Sequence, residues 1–193
     1  TLGIVIWCVS PEIEWVALDQ YPTLRPAVEN GKTFRENAER KALFYAGRTG
    51  LTALADDSGL CVDELGGEPG VCSARYGGPE QNAAANCRKL LETLRTIPAE
   101  RRTARFECWI ALARPKKVTL VVSGIVKGFI TDELRGTNGF GYDPVFFYPP
   151  ENKTFAEMDP RVKNRVSHRA KALQALREDM RLAISGRNVL EKS

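Results

Sequence analysis

Leu51-Thr52-Ala53-Leu54-Ala55-Asp56-Asp57-Ser58-Gly59-Leu60 runs from an apolar stretch straight into two adjacent carboxylates. Leu51 to Ala55 predicts a short strand, and in α/β proteins ligands gather beyond the carboxyl ends of strands. On this reading Asp56 and Asp57 arrive together at a site. Two carboxylates there offer hard oxygen ligands suited to Mg2+, and one of them can take a proton from an attacking water. Taken alone, such a segment is more often a plain polar turn, because Asp, Ser and Gly all favour turns.

Upstream, Thr33-Phe34-Arg35-Glu36 is a capping box: the Thr hydroxyl caps a helix and Glu36 reaches back. Phe34, Ala38, Ala42 and Tyr45 then recur at helical spacing, and Gly47 and Gly50 end the helix. Ile4 to Val9 predicts a buried strand and Ile13 to Leu18 a second, with only Ser10-Pro11-Glu12 between them. Tyr21 to Gly31 holds two prolines and reads as a loop. Downstream, Gly66 to Gly78 is glycine-rich and irregular, and Asn82 to Leu94 predicts a helix. Arg105 to Leu112 and Val118 to Val126 have the β-branched and aromatic content of strands. Arg135 to Pro144 is a second glycine-rich loop. Ala170, Leu173, Leu176, Met180 and Ile184 mark a C-terminal helix opened by Ser167. Strands mixed with helices argue α/β or α+β architecture.

The 193 residues, 43% hydrophobic and 27% charged, exclude a disordered or collagen-like chain. No linker rich in Pro, Gly or Ser divides them, so a single domain over 1–193 is expected. The longest apolar stretch, Leu2 to Val9, falls far short of the ~20 residues that span a bilayer. No basic residue precedes it, which makes a poor signal peptide. Cysteines stand at 8, 61, 72, 87 and 108. Their odd number and the lack of a C-x-x-C pair speak against a disulfide framework and a zinc site, and for a reducing cytoplasm. The net charge is +4, but residues 1–30 carry Arg25 against Glu12, Glu14, Asp19 and Glu29. The remainder is therefore +7. That suits an anionic ligand, nucleotide or nucleic acid, as well as it suits a mildly basic solvated surface.

Two further segments carry chemistry. In Gly136-Thr137-Asn138-Gly139-Phe140-Gly141-Tyr142-Asp143, rings alternate with glycines, so a planar ligand can approach the backbone closely. A base stacked on such a ring gains ~1–3 kcal/mol, although a tight turn with its aromatics in the core explains the pattern equally well. Lys163-Asn164-Arg165-Val166-Ser167-His168-Arg169 leads into the last helix. Its cations oppose the helix dipole, and a bound anion would offset that penalty. Glu29 gains meaning only if the fold brings it beside Asp57. Carboxylates for a metal, aromatics for a base and cations for phosphates together indicate a nucleotide enzyme rather than a nucleic-acid binder.

From about Ile13 to Leu176 the chain resembles the inosine triphosphate pyrophosphatase family. The resemblance rests on Thr33-Phe34-Arg35-Glu36-Asn37-Ala38, Ala55-Asp56-Asp57-Ser58-Gly59-Leu60, Gly70-Val71-Cys72-Ser73-Ala74-Arg75-Tyr76, Gly139-Phe140-Gly141-Tyr142-Asp143-Pro144, Thr154-Phe155-Ala156-Glu157-Met158, and Lys163 followed by Ser167-His168-Arg169. It implies an α/β fold with a central mixed sheet flanked by helices and two lobes around a nucleotide cleft. It also implies a homodimer, with neither nucleic acid nor membrane as partner. The implied reaction is hydrolysis of ITP, dITP or XTP to the monophosphate and pyrophosphate with Mg2+. By resemblance Asp57 is the general base, and Glu29 and Asp57 are the metal-binding carboxylates. Ser58, Phe140, Gly141, Tyr142, Asp143, Lys163, His168 and Arg169 are then substrate contacts, and Lys41 faces the phosphates. Lys163 and Lys41 serve as point charges for phosphate, while Arg169 offers a planar fork. His168 and Arg169, or nearby backbone N–H groups, are the candidates to donate to a 6-oxo purine, which would reject a 6-amino one.

Residues 1–12 are atypical by the same measure. The family opens with a strand and Thr or Ser-x-Asn-x-x-Lys, whereas Ser10-Pro11-Glu12 stands here. The departure predicts that base recognition survives better than triphosphate positioning. Its alternative is a nucleotide-binding member with weak or no catalysis.

Overall fold

A computed structural model describes residues 14–184, with side chains placed as far as Met180. Helix α1 (Phe34–Thr49) starts where the capping box predicts: Thr33 Oγ1 accepts from Glu36 N at 3.1 Å. The return bond reaches one residue further back, since Glu36 Oε2 accepts from Lys32 N at 2.8 Å. Gly47 lies inside the helix, and the left-handed Gly50 ends it. The stripe that α1 buries is small: Ala38, Ala42 and Ala46 pack on Ala55, Ala111 and Ala113 of the sheet. With only methyl groups between them, helix and sheet lie close, so polar residues beside the stripe can reach sheet residues directly.

The sheet order is β1 (Ala53–Val62), β2 (Thr103–Arg114), β3 (Lys117–Ile130), β4 (Phe146–Tyr148), β5 (Lys153–Thr154). Every pairing among the described residues is antiparallel. The expected mixed character therefore gains no support from these ladders; the strand expected at Ile4 to Val9 lies outside the described residues. The expected strand over Ile13 to Leu18 does not form where it is described. Residues 14–17 make no ladder, and Leu18–Gln20 is a 3-10 turn. Trp15 instead packs on the cluster formed by Cys108, Ile110 and Val122.

The main correction concerns β1. It does not stop at Ala55 but continues through Asp56-Asp57-Ser58-Gly59 to Val62, paired along its whole length with β2. Ladder partners override the weak strand propensity of Asp, Ser and Gly. The two carboxylates thus lie within a strand rather than beyond its end, and adjacent side chains there point to opposite faces.

The long β2 and β3 carry two lobes. In one, α1 covers one face of the sheet. On the opposite face α4 (His168–Ile184) buries Ala172 and Leu176 against Cys108, Ile110 and Val122. Gly124 makes that docking possible: a Cβ there would stand 2.2 Å from the His168 carbonyl and 2.3 Å from Ala172 N. In the other lobe α2 (Ala83–Thr93), capped by Asn82, and β4–β5 close over Leu60, Val62, Leu90, Phe106, Val126 and Phe155. Phe106, Phe146 and Phe155 hold their ring centroids 4.6, 4.9 and 5.8 Å apart, and such pairs add ~0.5–1.5 kcal/mol each beyond area burial. A short helix absent from the sequence reading, α3 (Pro160–Val166), precedes α4, with Asp159 as its cap. Ser167 sits between them, and its Oγ accepts from Ala170 N at 3.2 Å, as the sequence predicts.

Candidate functional site

The alternation of β1 divides the site in two. On the α1 face, Asp57 meets residues that α1 presents one turn apart. Lys41 Nζ lies 3.0 Å from Asp57 Oδ1 and 3.0 Å from Glu29 Oε1, and Asn37 Nδ2 donates to Asp57 Oδ2 at 3.0 Å. The fold therefore brings Glu29 beside Asp57, the condition on which its role depended. Burial pushes the Asp57 carboxyl above its ordinary value, against the pull of Lys41 and Asn37. Burial drags the Lys41 ammonium down, but Asp57 and Glu29 outweigh it and leave it raised.

On the opposite face, Asp56 and Ser58 meet Arg169 from the first turn of α4. The guanidinium donates to Ser58 Oγ at 2.9 Å and lies 3.5 Å from Asp56 Oδ2. Asp56 is thus an anchor for Arg169, not a partner of Asp57 on one metal, which corrects the simplest reading of the paired carboxylates. A cavity of about 270 Å3 opens beside it, lined by Ser58, Phe106, Phe140, Tyr142, His168 and Arg169 among others.

The two aromatics of the glycine-rich loop have different fates. Phe140 is 61% exposed, with Lys163 Nζ 4.4 Å and the Arg169 guanidinium 5.0 Å from its ring centroid. Tyr142 is buried, and its hydroxyl donates to the Ser73 carbonyl at 2.8 Å. Phe140 is the presented ring; Tyr142 is wall. Asp143 holds the loop by accepting from Phe140 N at 2.7 Å and by pairing with Lys163. Burial pushes its carboxyl up, with Lys163 pulling against it. Gly141 joins the cavity lining, and its carbonyl accepts from Cys87 Sγ at 3.3 Å. Lys163, expected to share the phosphates with Lys41, lies against Phe140, apart from Lys41, and pairs with Asp143.

His168 is 4% exposed and stacks on Phe106 at 4.7 Å with 12° between the planes. Burial, followed by repulsion from Arg169 and Lys163, lowers its pKa to about 3. It is therefore a neutral imidazole at physiological pH, and its buried Nδ1 has no hydrogen-bond partner among the described residues. The ring lines the cavity, while Nδ1 itself is closed off from solvent.

Among the described residues no group of three or more His, Cys, Asp and Glu side chains gathers as a metal site. The Glu29–Asp57 pair nonetheless fits Mg2+, which keeps several waters and takes one or two carboxylates together with substrate phosphates. The Lys41 ammonium, within 3.0 Å of both, already shows that the two carboxylates face one cation-sized point. Ser10-Pro11-Glu12, which stands in place of the expected Thr or Ser-x-Asn-x-x-Lys, lies outside the described residues.

Comparison with known proteins places this geometry. The Ham1 family model matches residues 7–179. The chain belongs to the Ham1 family. It is 49% identical over 162 residues to the dITP/XTP pyrophosphatase of Shouchella clausii, covering 84% of this chain and 82% of that one. It is 47% identical over 179 residues to the dITP/XTP pyrophosphatase of Geobacillus kaustophilus, covering 93% and 88%. The solved structure of the Staphylococcus aureus Ham1 protein superposes with a TM-score of 0.86 at 38% identity, covering 92% of this chain and 91% of that one. The α/β fold and the family resemblance read from the sequence are both borne out.

Two residues that the sequence reading left without a role stand in this site. Asn37 figures in the sequence only as a member of the motif Thr33 to Ala38, and its i,i+4 spacing to Lys41 is the available signal for a shared site. Ser73 Oγ accepts from Leu60 N at 2.9 Å while its carbonyl anchors Tyr142. No local pattern announces it.

Proposed function

We propose that this chain hydrolyses nonstandard purine nucleoside triphosphates (ITP, dITP, XTP) to the monophosphate and pyrophosphate, removing them from the nucleotide pool. One observation carries the reading. A carboxylate–lysine cluster and a cation-flanked aromatic cavity lie on opposite faces of the same strand, β1, at adjacent residues Asp57 and Ser58. A nucleotide whose base enters the cavity has its phosphates turned towards the Asp57 side of β1. The names of the relatives agree with this substrate class.

The purine stacks on exposed Phe140, and Arg169 and neutral His168 face its edge. A 6-oxo purine accepts a hydrogen bond there; a 6-amino purine leaves the donor unpaired, which is how such sites discriminate strongly. Asp57, raised by burial, takes the proton from a water that attacks the α-phosphorus, and pyrophosphate leaves with the bridging oxygen. Lys41 turns its ammonium to the phosphates and stabilises the charge that builds on the leaving oxygens. Mg2+ held by Glu29 and Asp57 would supply further neutralisation of that charge.

Mg2+ dependence, a homodimer, a single domain over 1–193 and a cytoplasmic location belong to the same proposal. Cys61, Cys72, Cys87 and Cys108 are free thiols, which supports a reducing compartment. No helix among the described residues is long and apolar enough to cross a membrane. Family likeness alone supports the homodimer, and sedimentation of the purified chain tests it.

Asp57→Asn tests the mechanism. The variant keeps the shape of the side chain and one acceptor oxygen for Asn37 or Lys41, but cannot act as the base. Pyrophosphate release from ITP with Mg2+ is expected to fall to background while the thermal unfolding midpoint stays close to that of the wild type. Retained turnover refutes the assignment of Asp57.

A further inference from the structure

Asn37 is a buried amide that the mechanism above does not use. It is 3% exposed, on the first turn of α1, beside the alanine stripe that holds the helix close to the sheet. Its two ends bond in opposite senses. Nδ2 donates to Asp57 Oδ2 at 3.0 Å, and Oδ1 accepts from Gly31 N at 2.7 Å. A carboxylate can only accept and a backbone N–H can only donate, so the partners themselves dictate this orientation of the amide. Among side chains of this size, only an amide serves both at once: Asp lacks the donor when ionised, and Leu lacks both groups.

The two bonds join the two halves of the carboxylate pair. Asp57 is fixed in β1. Glu29 lies two residues before Gly31 on the loop that leads into α1, and has no ladder to fix it. Asn37 fastens that loop to Asp57. By taking Oδ2, it also leaves Oδ1 turned towards Lys41 and Glu29. We propose that Asn37 is a positioning residue of the Glu29–Asp57 pair, the amide that joins the loop carrying Glu29 directly to Asp57. The inference rests on the reading of those carboxylates as the Mg2+ site. Partners that orient metal ligands in this way are typically worth about 10- to 100-fold in metal affinity or activity.

Gly31 gives an independent route to the same contact. A Cβ on Gly31 would stand 2.6 Å from Asn37 Oδ1 and 2.9 Å from Glu36 Cβ. Gly31→Ala must therefore push the loop away from the amide while Asn37 keeps its own side chain.

The test compares wild type, Asn37→Leu and Gly31→Ala in the full chain. Leu fills the volume of Asn and makes neither bond, which separates positioning from packing. Two quantities are read: Mg2+ affinity by calorimetry without nucleotide, and kcat and KM for ITP. The expected result is Mg2+ binding weakened about 10-fold or more and kcat reduced to a similar extent. KM for ITP should stay within about threefold, because the base cavity lies on the far face of β1. A purely structural role would lower the unfolding midpoint without this split. Should Asn37→Leu fail to fold, Gly31→Ala carries the test alone. Wild type that hydrolyses ITP beside variants that keep both Mg2+ affinity and kcat within about threefold overturns the inference. Wild type that releases no pyrophosphate overturns the functional reading and this inference with it.

Discussion

His168 makes a quantitative prediction about stability and pH. In the folded chain its pKa is lowered to about 3, while an unfolded chain titrates it near ~6.5. Between those values the unfolded state binds a proton that the folded state refuses, so stability is present above the unfolded value and is lost as pH falls through it. Integrated from pH 7.5 down to pH 5, the loss is about 2 kcal/mol. It depends little on the folded value, which lies well below that window. The assay is urea unfolding of wild type and His168→Asn at pH 7.5, 6.5, 5.5 and 5. At a slope of about 2 kcal/mol per molar urea, the wild-type midpoint should fall by roughly 1 M more than that of the variant across the range. His168 is the only histidine, so the difference between the two proteins isolates its titration. Equal losses would falsify the claim that the imidazole is buried in its neutral form. Base recognition as proposed would go with it, because it needs an uncharged ring at the purine edge.

Two other perturbations test the architecture on either side of β1. Gly124→Ala places a methyl group against the backbone of α4 rather than a movable side chain. It should cost about 3 kcal/mol and lower the unfolding midpoint by about 10 °C, with weaker IMP binding as His168 and Arg169 shift; an unchanged midpoint refutes the close approach. Lys41→Met keeps the aliphatic stem and removes the ammonium. It should lower kcat about 100-fold and leave IMP binding close to wild type, as measured by calorimetry, since the base cavity does not include Lys41.

Much of this molecule is legible in its sequence, for identifiable reasons. Helix α1 announces itself through local chemistry: a capping box, an alanine stripe and a terminal glycine. The ordered motifs around Asp57, Phe140 and His168 identify the family before any coordinate is known. The misreadings arise where long-range pairing decides. Asp56-Asp57-Ser58-Gly59 has the composition of a turn, yet ten consecutive pairings with β2 keep it extended. That one change sends the two carboxylates to opposite faces. Lys163 gains a partner the same way: Asp143, twenty residues away in the chain, meets it only in the fold. Asn37 has no readable role in sequence, because its partners, Gly31 and Asp57, meet it only after the helix docks on the sheet. The helix α3 did carry a local signal, Asp159 ahead of Pro160, which is a cap followed by proline in the first turn.

The central claim is that the cavity beside Ser58 selects a 6-oxo purine and delivers its phosphates to Asp57. Pyrophosphate release from ITP and from ATP, each with and without Mg2+, tests it most directly. The account predicts Mg2+-dependent release with kcat/KM for ITP about 100-fold or more above that for ATP. Equal rates on the two nucleotides, or no release from ITP, would contradict it.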